Sequence, residues 1–193
     1  MIYFIRHGQT DWNINRCIQG TTDVPLNAVG RAQARALCPE MQALKLDKII
    51  TSDLKRAWET AEILNQEIQV PIITDNRLRE IHFGQWEGRS VSDLSDSVWH
   101  QFFRHPEQVG SEPLSEVFER IQSFFDTTDL SRNTLIVTHS GALRIIAYYL
   151  NYPDAKIFDF ERYVPYARLS FRNTSLLSVN KDGQLAYLMP EAV

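Results

Sequence analysis

The run Thr134–Thr138, TLIVT, constrains the fold of this chain more than any other segment. It is continuous, rich in β-branched and apolar side chains, and holds no charged residue. A strand with one face in water alternates apolar and polar residues, so an unbroken run indicates a strand buried on both faces. Strands of this kind belong to sheets with helices on either side. The segment therefore predicts an α/β fold.

Strand and helix patterns alternate along the rest of the chain. Other strands are predicted at Ile2–Ile5, Lys48–Thr51, Val70–Thr74, Ser175–Val179 and Leu185–Leu188. Amphipathic helices are predicted where apolar residues recur every three to four positions, from Ala34 to Leu44, Leu54 to Leu64, Leu114 to Phe125 and Ala142 to Leu150. This order predicts a three-layer sandwich with a mostly parallel central sheet and helices on both faces.

Polar side chains follow four of these predicted strands. Arg6-His7-Gly8 follows the first, and Ser52-Asp53 and Arg56 follow the second. Glu80 lies a few residues past the third strand, and His139-Ser140-Gly141 follows TLIVT. Ligands of open α/β sheets bind beyond the carboxyl ends of the strands. We therefore expect two arginines, two histidines and a carboxylate to meet at one edge of the sheet.

This set of residue types predicts an anion site. The guanidinium groups of Arg6 and Arg56 match phosphate oxygens in pairs and stay charged at physiological pH. Asn13 can add an amide donor, and Gly20 can let backbone N–H groups approach the anion closely. A phosphate monoester dianion is the natural ligand, since a lone carboxylate would leave several donors unused.

The same residues permit phosphoryl transfer. One histidine can be the nucleophile if it is neutral, and Gly8 can allow a tight turn whose carbonyl holds the other ring N–H of His7. Glu80 can protonate the leaving oxygen and then activate water. We see no metal-ligand spacing in the sequence, so we expect neither a metal nor another cofactor. Each residue alone also has an ordinary structural interpretation: Arg56 as a solvated charge, Glu80 in a surface ion pair and His139 as a buried core histidine.

Charge and composition limit the other function classes. The net charge of −4 gives no general reason to bind nucleic acid or an anionic membrane. No run approaches the roughly 20 apolar residues of a membrane helix, and the first apolar run has no basic flank. The two cysteines, Cys17 and Cys38, lack metal-type spacing. We expect a cytoplasmic protein, and the sequence does not indicate its oligomeric state.

Five motifs in order resemble the histidine phosphatase superfamily, also called the phosphoglycerate mutase-like family. They are RHGQTDWN, QGTTDVPLNAVGRAQA, TSDLKRAWETAEIL, LREIHFGQWEG and VTHSG, and the resemblance runs from Met1 to about residue 180. It implies a single domain over 1–193 with the phosphoglycerate mutase-like fold. It also implies His7 as the phosphorylated nucleophile and Glu80 as the proton donor. Arg6, Asn13, Arg56 and His139 would bind the phosphoryl group, without a metal.

The resemblance favours the phosphatase branch, because FGQWEG is similar to its motif and mutases more often read YG-x-LQG. It implies a phosphomonoesterase that acts on a small phosphorylated metabolite, with α-ribazole phosphate and phosphoglycerates among the candidates. A cofactor-dependent phosphoglycerate mutase, a catalytically inactive phosphate-binding protein and a phosphoprotein phosphatase remain alternatives. The irregular segment 84–112, with Arg89 and Arg104, is interpreted as an insertion that covers the leaving group or, equally, as core packing.

Overall fold

The structure, a computed structural model, describes residues 1–180 and 183–188. Its strands are β1 (Ile2–Arg6), β2 (Lys48–Thr51), β3 (Ile72–Thr74), β4 (Thr134–Thr138), β5 (Leu176–Val179) and β6 (Leu185–Tyr187). Its α-helices are α1 (Asp11–Ile14), α2 (Ala28–Ala36), α3 (Cys38–Ala43), α4 (Lys55–Asn65), α5 (Asp96–Arg104), α6 (Leu114–Thr127), α7 (Ser140–Asn151) and α8 (Phe160–Ala167). Residues 181–182 and 189–193 of the predicted domain lie outside the described part of the chain.

The strands form one sheet in the order β3-β2-β4-β1-β5-β6. The first four strands of the chain run parallel, whereas β5 is antiparallel to β1 and β6 is antiparallel to β5. All five residues of β4 are buried, as the TLIVT pattern predicts. The mostly parallel sheet is therefore confirmed, and β4 lies inside it between β2 and β1.

The core divides into two layers, one on each face of the sheet. Phe4, Ile50 and Ile136 belong to the larger apolar cluster, which also holds Val117 of α6 and Leu143 of α7. On the opposite face, alternate strand residues pack with α3 and α4; these are Tyr3, Ile5, Ile49, Leu135 and Val137. Alternation of side chains along each strand supplies both faces, so the three-layer sandwich is confirmed.

Two regions differ in detail from the sequence expectations. The segment 84–112 holds α5 and short 3-10 helices at Gly84–Trp86, Val91–Asp93 and Pro106–Val109, close to the predicted mixture of short helices and loops. Helix α8 was not predicted, since Pro165 lies inside it. Its first turn is capped by Asp159, whose side chain accepts from the Arg162 N–H. Among the described residues, no helix is both long and apolar enough to cross a membrane.

Candidate active site

The pairing of β1 with β4 brings His7 and His139 together. Arg6 is in register with Thr138, so the residue after each strand lies at the same sheet edge. The His7 N–H donates to the Thr138 carbonyl at 3.0 Å. The two imidazole rings lie 5.1 Å apart, centroid to centroid, and both side chains are buried. The sheet therefore assembles the predicted histidine pair from segments more than a hundred residues apart.

The His7 ring is held in one tautomer by the next residue. Its Nδ1–H donates to the Gly8 carbonyl at 2.7 Å, the contact expected from the sequence. The lone pair of Nε2 is then the free basic site of the ring. Burial, with the positive charges of Arg56 and Arg6, lowers the pKa of His7 well below its usual value. The ring is neutral at physiological pH, which a nucleophilic nitrogen requires.

The loop that carries His7 is clamped by α2 and α4. The Gly8 N–H donates to Thr60 Oγ1 at 3.0 Å, and the Gln9 N–H donates to Gln33 Oε1 at 3.0 Å. A Cβ atom on Gly30 would lie 2.1 Å from the Gln9 carbonyl oxygen, so the loop and α2 approach closely only because residue 30 is glycine. The motif with Gly30 and Gln33 thus supports the loop that carries His7.

Arg56 is buried and aimed by three acceptors. Its Nε donates to His139 Nδ1 at 3.2 Å, Nη1 to the Thr22 carbonyl at 2.8 Å, and Nη2 to the Gly20 carbonyl at 2.6 Å. Because His139 Nδ1 accepts, its Nε2 carries the proton and faces Ser52 Oγ at 2.9 Å. Burial and the charge of Arg56 lower the pKa of His139 well below its usual value, so this ring is also neutral.

Arg6 supplies the second guanidinium group. Its Nη1 donates to the Phe171 carbonyl at 2.5 Å, whereas its buried Nε has no hydrogen-bond partner among residues 1–180 and 183–188. Burial lowers the pKa of both Arg6 and Arg56 to about 10, so both stay protonated at neutral pH. Two fixed positive charges and an unpartnered buried donor beside a neutral histidine form a site suited to an anion.

Asn13 and Gly20 reach the same pocket in different ways. Asn13 Oδ1 accepts from the Thr10 N–H at 3.0 Å and from Asn173 Nδ2 at 3.2 Å, which directs the Nδ2 donor of Asn13 away from them. Asn173 Nδ2 also donates to the His7 carbonyl at 2.9 Å. Gly20 was expected to let backbone N–H groups approach the anion closely, and this stays a prediction. In the structure, the Gly20 carbonyl accepts from Arg56.

The Glu80 carboxylate lies at the amino end of α7. Its Oε2 accepts from the Gly141 N–H at 3.0 Å, and its Oε1 accepts from the N–H groups of Ala142 and Ile81 at 3.1 and 3.0 Å. A Cβ atom on Gly141 would lie 2.3 Å from Oε1. The helix end therefore holds this carboxylate through otherwise unsatisfied N–H groups, and glycine is needed for the approach.

These residues line a pocket of about 780 Å³. Of the predicted site residues, Arg6, His7, Asn13, Gly20, Arg56 and Glu80 line it. His139 lies behind them, against the His7 ring and Arg56. Much of the remaining wall is apolar. It consists of Phe83, of Trp99 and Phe103 from the 84–112 region, and of Phe160 and Tyr163 from α8.

The arginines expected over the leaving group are not the ones that line the pocket. Arg89 lies over the Trp86 ring, and Arg104 donates to Glu161 Oε1 at 2.6 Å. Arg16, Arg144 and Arg168 line the pocket instead. Within segment 84–112, Trp86 and Phe102 are buried in an aromatic cluster, while Trp99 and Phe103 contribute to both cluster and pocket. The segment thus packs partly in this cluster and partly along the pocket, and its role as a cover over the leaving group stays a prediction.

Sequence reasoning missed several residues that shape this site. Asn173 and the residues of α8 carry no motif signal, because a lone asparagine and a proline-containing helix resemble ordinary surface segments. Glu87 stands in the FGQWEG motif but received no role. Among residues 1–180 and 183–188, no group of three or more His, Cys, Asp or Glu side chains is placed to hold a metal ion.

The chain is similar in sequence to a known protein family and to individual members of it. The sequence profile of the histidine phosphatase superfamily (branch 1) matches residues 2–176. An uncharacterized phosphatase, PhoE, of Bacillus subtilis (strain 168) is 33% identical over 150 residues, which is 75% of this chain and 74% of that protein. A probable phosphoglycerate mutase, GpmB, of Proteus mirabilis (strain HI4320) is 40% identical over 152 residues, which is 74% of this chain and 70% of that protein.

The fold has relatives among solved structures. A mycobacterial glucosyl-3-phosphoglycerate phosphatase superposes with a TM-score of 0.77, and the match covers 100% of this chain and 99% of that one. The two sequences are 24% identical, so this likeness concerns the fold alone. It supports the phosphoglycerate mutase-like architecture.

Proposed function

Because this chain belongs to the histidine phosphatase superfamily (branch 1), we propose that it is a phosphomonoester hydrolase with a phosphohistidine intermediate at His7. Its substrate in this proposal is a small phosphorylated metabolite. The relative named as a phosphatase and the relatives named as phosphoglycerate mutases support phosphoryl chemistry on such compounds.

One observation carries the proposal: the neutral His7 ring offers Nε2 inside a pocket that also holds two protonated arginines. The Nδ1–H bond to the Gly8 carbonyl fixes the tautomer, and the lowered pKa keeps the ring unprotonated. Arg6 and Arg56 bind the phosphoryl oxygens and balance the charge that spreads over them during transfer. Nε2 forms the P–N bond while the P–O bond to the leaving group breaks.

The remaining residues complete the cycle. Glu80 gives a proton to the leaving oxygen in the first step. In the second step, as a carboxylate, it takes a proton from the water whose oxygen bonds to phosphorus while the P–N bond to His7 Nε2 breaks, which releases inorganic phosphate. The Nδ2 group of Asn13 donates to a phosphoryl oxygen, and Gly20 shapes the same loop. His139 supports the site through its bond to Arg56 and reaches the phosphoryl group in this proposal after exchanging its Ser52 contact.

Mutase activity is the second candidate, because several relatives are named probable phosphoglycerate mutases. A mutase returns the phosphoryl group from His7 to another hydroxyl of the same substrate class, whereas a phosphatase transfers it to water. The two share the first half-reaction and the same residues. The sequence FGQWEG favours the phosphatase, and α-ribazole phosphatase remains one specific form of it.

The deciding experiment is a panel of phosphorylated metabolites that includes 3-phosphoglycerate and α-ribazole phosphate. Each compound is scored for released inorganic phosphate and for its phosphate-shifted isomer. Phosphate release without isomer formation is the expected result. Isomer formation that exceeds hydrolysis would replace the phosphatase proposal with the mutase.

We also propose a cytoplasmic location. Both cysteines, Cys17 and Cys38, are free thiols, and unpaired thiols are typical of reducing compartments. The proposal includes no nucleic-acid or membrane partner, in line with the net charge of −4.

A further inference from the structure

The loop Gly20–Thr22 lies between two charged side chains of opposite sign. On one side, Arg56 donates to the carbonyls of Gly20 and Thr22 at 2.6 and 2.8 Å. On the other side, the Glu87 carboxylate accepts from the N–H groups of Thr21 and Thr22, each at 2.9 Å. The carbonyls of the loop thus face the arginine, and its amides face the glutamate.

A single peptide group joins the two charges. The carbonyl of Gly20 and the N–H of Thr21 belong to the same planar unit, which accepts from Arg56 and donates to Glu87. Hydrogen bonds arranged in series polarise one another, so the carboxylate strengthens the bond that this carbonyl makes to Arg56. Glu87 is therefore coupled to Arg56 without touching it.

Glu87 is committed to this loop rather than to a basic partner. It accepts three further hydrogen bonds, from the hydroxyls of Thr21 and Thr22 and from the Phe83 N–H. Burial acts to raise its pKa, but the bonds from Thr22, Thr21 and Phe83 lower the pKa overall, so the group is ionised at neutral pH. Within the described residues, the basic nitrogen paired with Glu87 is His82 Nε2, which lies 3.9 Å from Oε1.

Gly20 shows independently how tightly the loop and the carboxylate fit. Its φ of +53° lies in the left-handed region that favours glycine. A Cβ atom there would lie 2.1 Å from Glu87 Oε1. The positive φ and the lack of space for a Cβ atom thus both require glycine at residue 20, where the loop meets Glu87.

We propose that Glu87 is a positioning residue for Arg56, acting through the Gly20–Thr21 peptide group. This inference rests on the proposed role of Arg56 as a ligand of the phosphoryl group. Of the five guanidinium N–H bonds, three are used on His139, Gly20 and Thr22. The other two are left for phosphoryl oxygens, and their direction depends on where the loop holds the guanidinium plane.

The test is a double-mutant cycle with Glu87→Gln and Arg56→Ala, assayed with 4-nitrophenyl phosphate and inhibited by orthovanadate. Glutamine keeps the shape of the side chain but offers one carbonyl oxygen where the loop needs two acceptors. We expect Glu87→Gln alone to lower kcat/KM by about 10- to 100-fold, as a misplaced binding group does, and to raise the Ki of orthovanadate. In the Arg56→Ala background we expect almost no further loss.

The matched control is Asp75→Asn, which changes another partly buried carboxylate by the same atoms. Asp75 is paired with Arg77, and within the described part of the chain its carboxylate makes no hydrogen bond to the pocket residues named above. The kinetic constants of the Asp75→Asn variant are therefore expected to equal those of the wild type. Folding of each variant is checked by circular dichroism. If Glu87→Gln does not fold, Thr22→Val replaces it, because this change removes one hydroxyl donor to Glu87. We expect Thr22→Val to lower kcat/KM by about 2- to 10-fold, and only when Arg56 is present.

Independent effects would overturn the inference: the fold-losses in kcat/KM from Glu87→Gln (or from its substitute Thr22→Val) and from Arg56→Ala would then multiply in the double variant. An unchanged Ki of orthovanadate in Glu87→Gln, or in its substitute, would also overturn it. Either result leaves the proposed function intact as long as the wild-type enzyme hydrolyses 4-nitrophenyl phosphate. A wild-type protein without turnover would instead contradict the proposed function itself.

Discussion

The carboxylate of Glu80 and the backbone of Gly141 approach so closely that neither residue can be considered alone. Residue 141 has no side chain at the point where a Cβ atom would lie 2.3 Å from Oε1. The two N–H bonds from Gly141 and Ala142 then hold the carboxylate beside the pocket. The small size of one residue thus sets the position of the proposed proton donor.

Glu80→Gln and Gly141→Ala are therefore expected to share one kinetic defect. Removal of a general acid costs about 10²- to 10⁴-fold when the leaving group needs a proton. We expect that loss with glycerol phosphate and a much smaller one with 4-nitrophenyl phosphate, whose leaving group departs without help. The measurement is kcat/KM for both substrates, and an equal loss on both would argue against a proton-donor role for Glu80.

The place of a single residue in the site could be predicted from the sequence where the residue follows a strand or where its partner is its neighbour in the chain. His7 and the Gly8 carbonyl are neighbours, so their contact was predictable. The bonds from Gly141 and Ala142 to Glu80 span about 60 residues, and no local pattern encodes them. The contact of Glu87 with the Gly20–Thr22 loop was not predictable from the sequence for the same reason.

At the scale of elements, α2 is a support for the loop that carries His7. Its first turn contains Gly30, which packs against the Gln9 backbone. Asn27 caps this helix through the Gly30 N–H, and the Asn27 N–H also donates to the Gln9 carbonyl at 3.0 Å. A change inside α2 should therefore alter the position of His7 through the backbone.

Gly30→Ala is expected to destabilise the protein and to slow catalysis together. Overpacking costs about 1–3 kcal/mol, which exceeds the gain of up to about 1 kcal/mol from the better helix propensity of alanine. Urea unfolding and kcat/KM measure the two effects. Val29→Ala is the matched control: Val29 is half exposed on the same helix, so a change within about 0.5 kcal/mol is expected. A stable, fully active Gly30→Ala variant would refute the support role of α2.

Helix α8 is an element that could not be predicted from the sequence. Pro165 argues against a helix interior, yet the segment is helical and buries Tyr163 against the main core. Long-range packing outweighs local propensity here. The strands, by contrast, were predictable because each is a short apolar run bounded by polar or turn-forming residues.

At the scale of the whole molecule, folding buries two neutral histidines beside two arginines. Burial and the charge of Arg56 lower the pKa of both His7 and His139. In the unfolded chain, histidine titrates near pH 6.5, at about its unperturbed pKa. Below that pH the unfolded chain binds protons that the folded protein does not, so acidification favours unfolding.

The free energy of unfolding is accordingly expected to decrease as the pH falls from about 6.5 toward 5.5, by at most about 1.4 kcal/mol per pH unit for each histidine. Urea unfolding in phosphate-free buffer measures this slope. His7→Gln removes one of the two groups and should reduce the slope, because glutamine does not titrate. A slope of the same size in His7→Gln would show that His7 is not a source of the acid sensitivity.

The sheet and the edge at which the site residues meet were more predictable from the sequence than the walls of the pocket. Parallel strands with polar residues at their carboxyl ends indicated one sheet edge, and the structure brings Arg6, His7, Arg56, Glu80 and His139 to it. The outer wall was not predictable, because the side chains of α8 and of segment 84–112 meet there from distant parts of the chain. Such contacts depend on the packing of whole elements.

The central claim is that His7 receives the phosphoryl group, and covalent labelling tests it most directly. The wild-type protein is mixed with 4-nitrophenyl phosphate, quenched with base to preserve phosphohistidine, and analysed by peptide mass spectrometry. We predict a phosphoryl group on the peptide that contains His7, and neither label nor turnover in His7→Ala. His105→Ala, at an exposed histidine, should retain both. Turnover by the His7→Ala protein, or a label on another residue, would contradict this account.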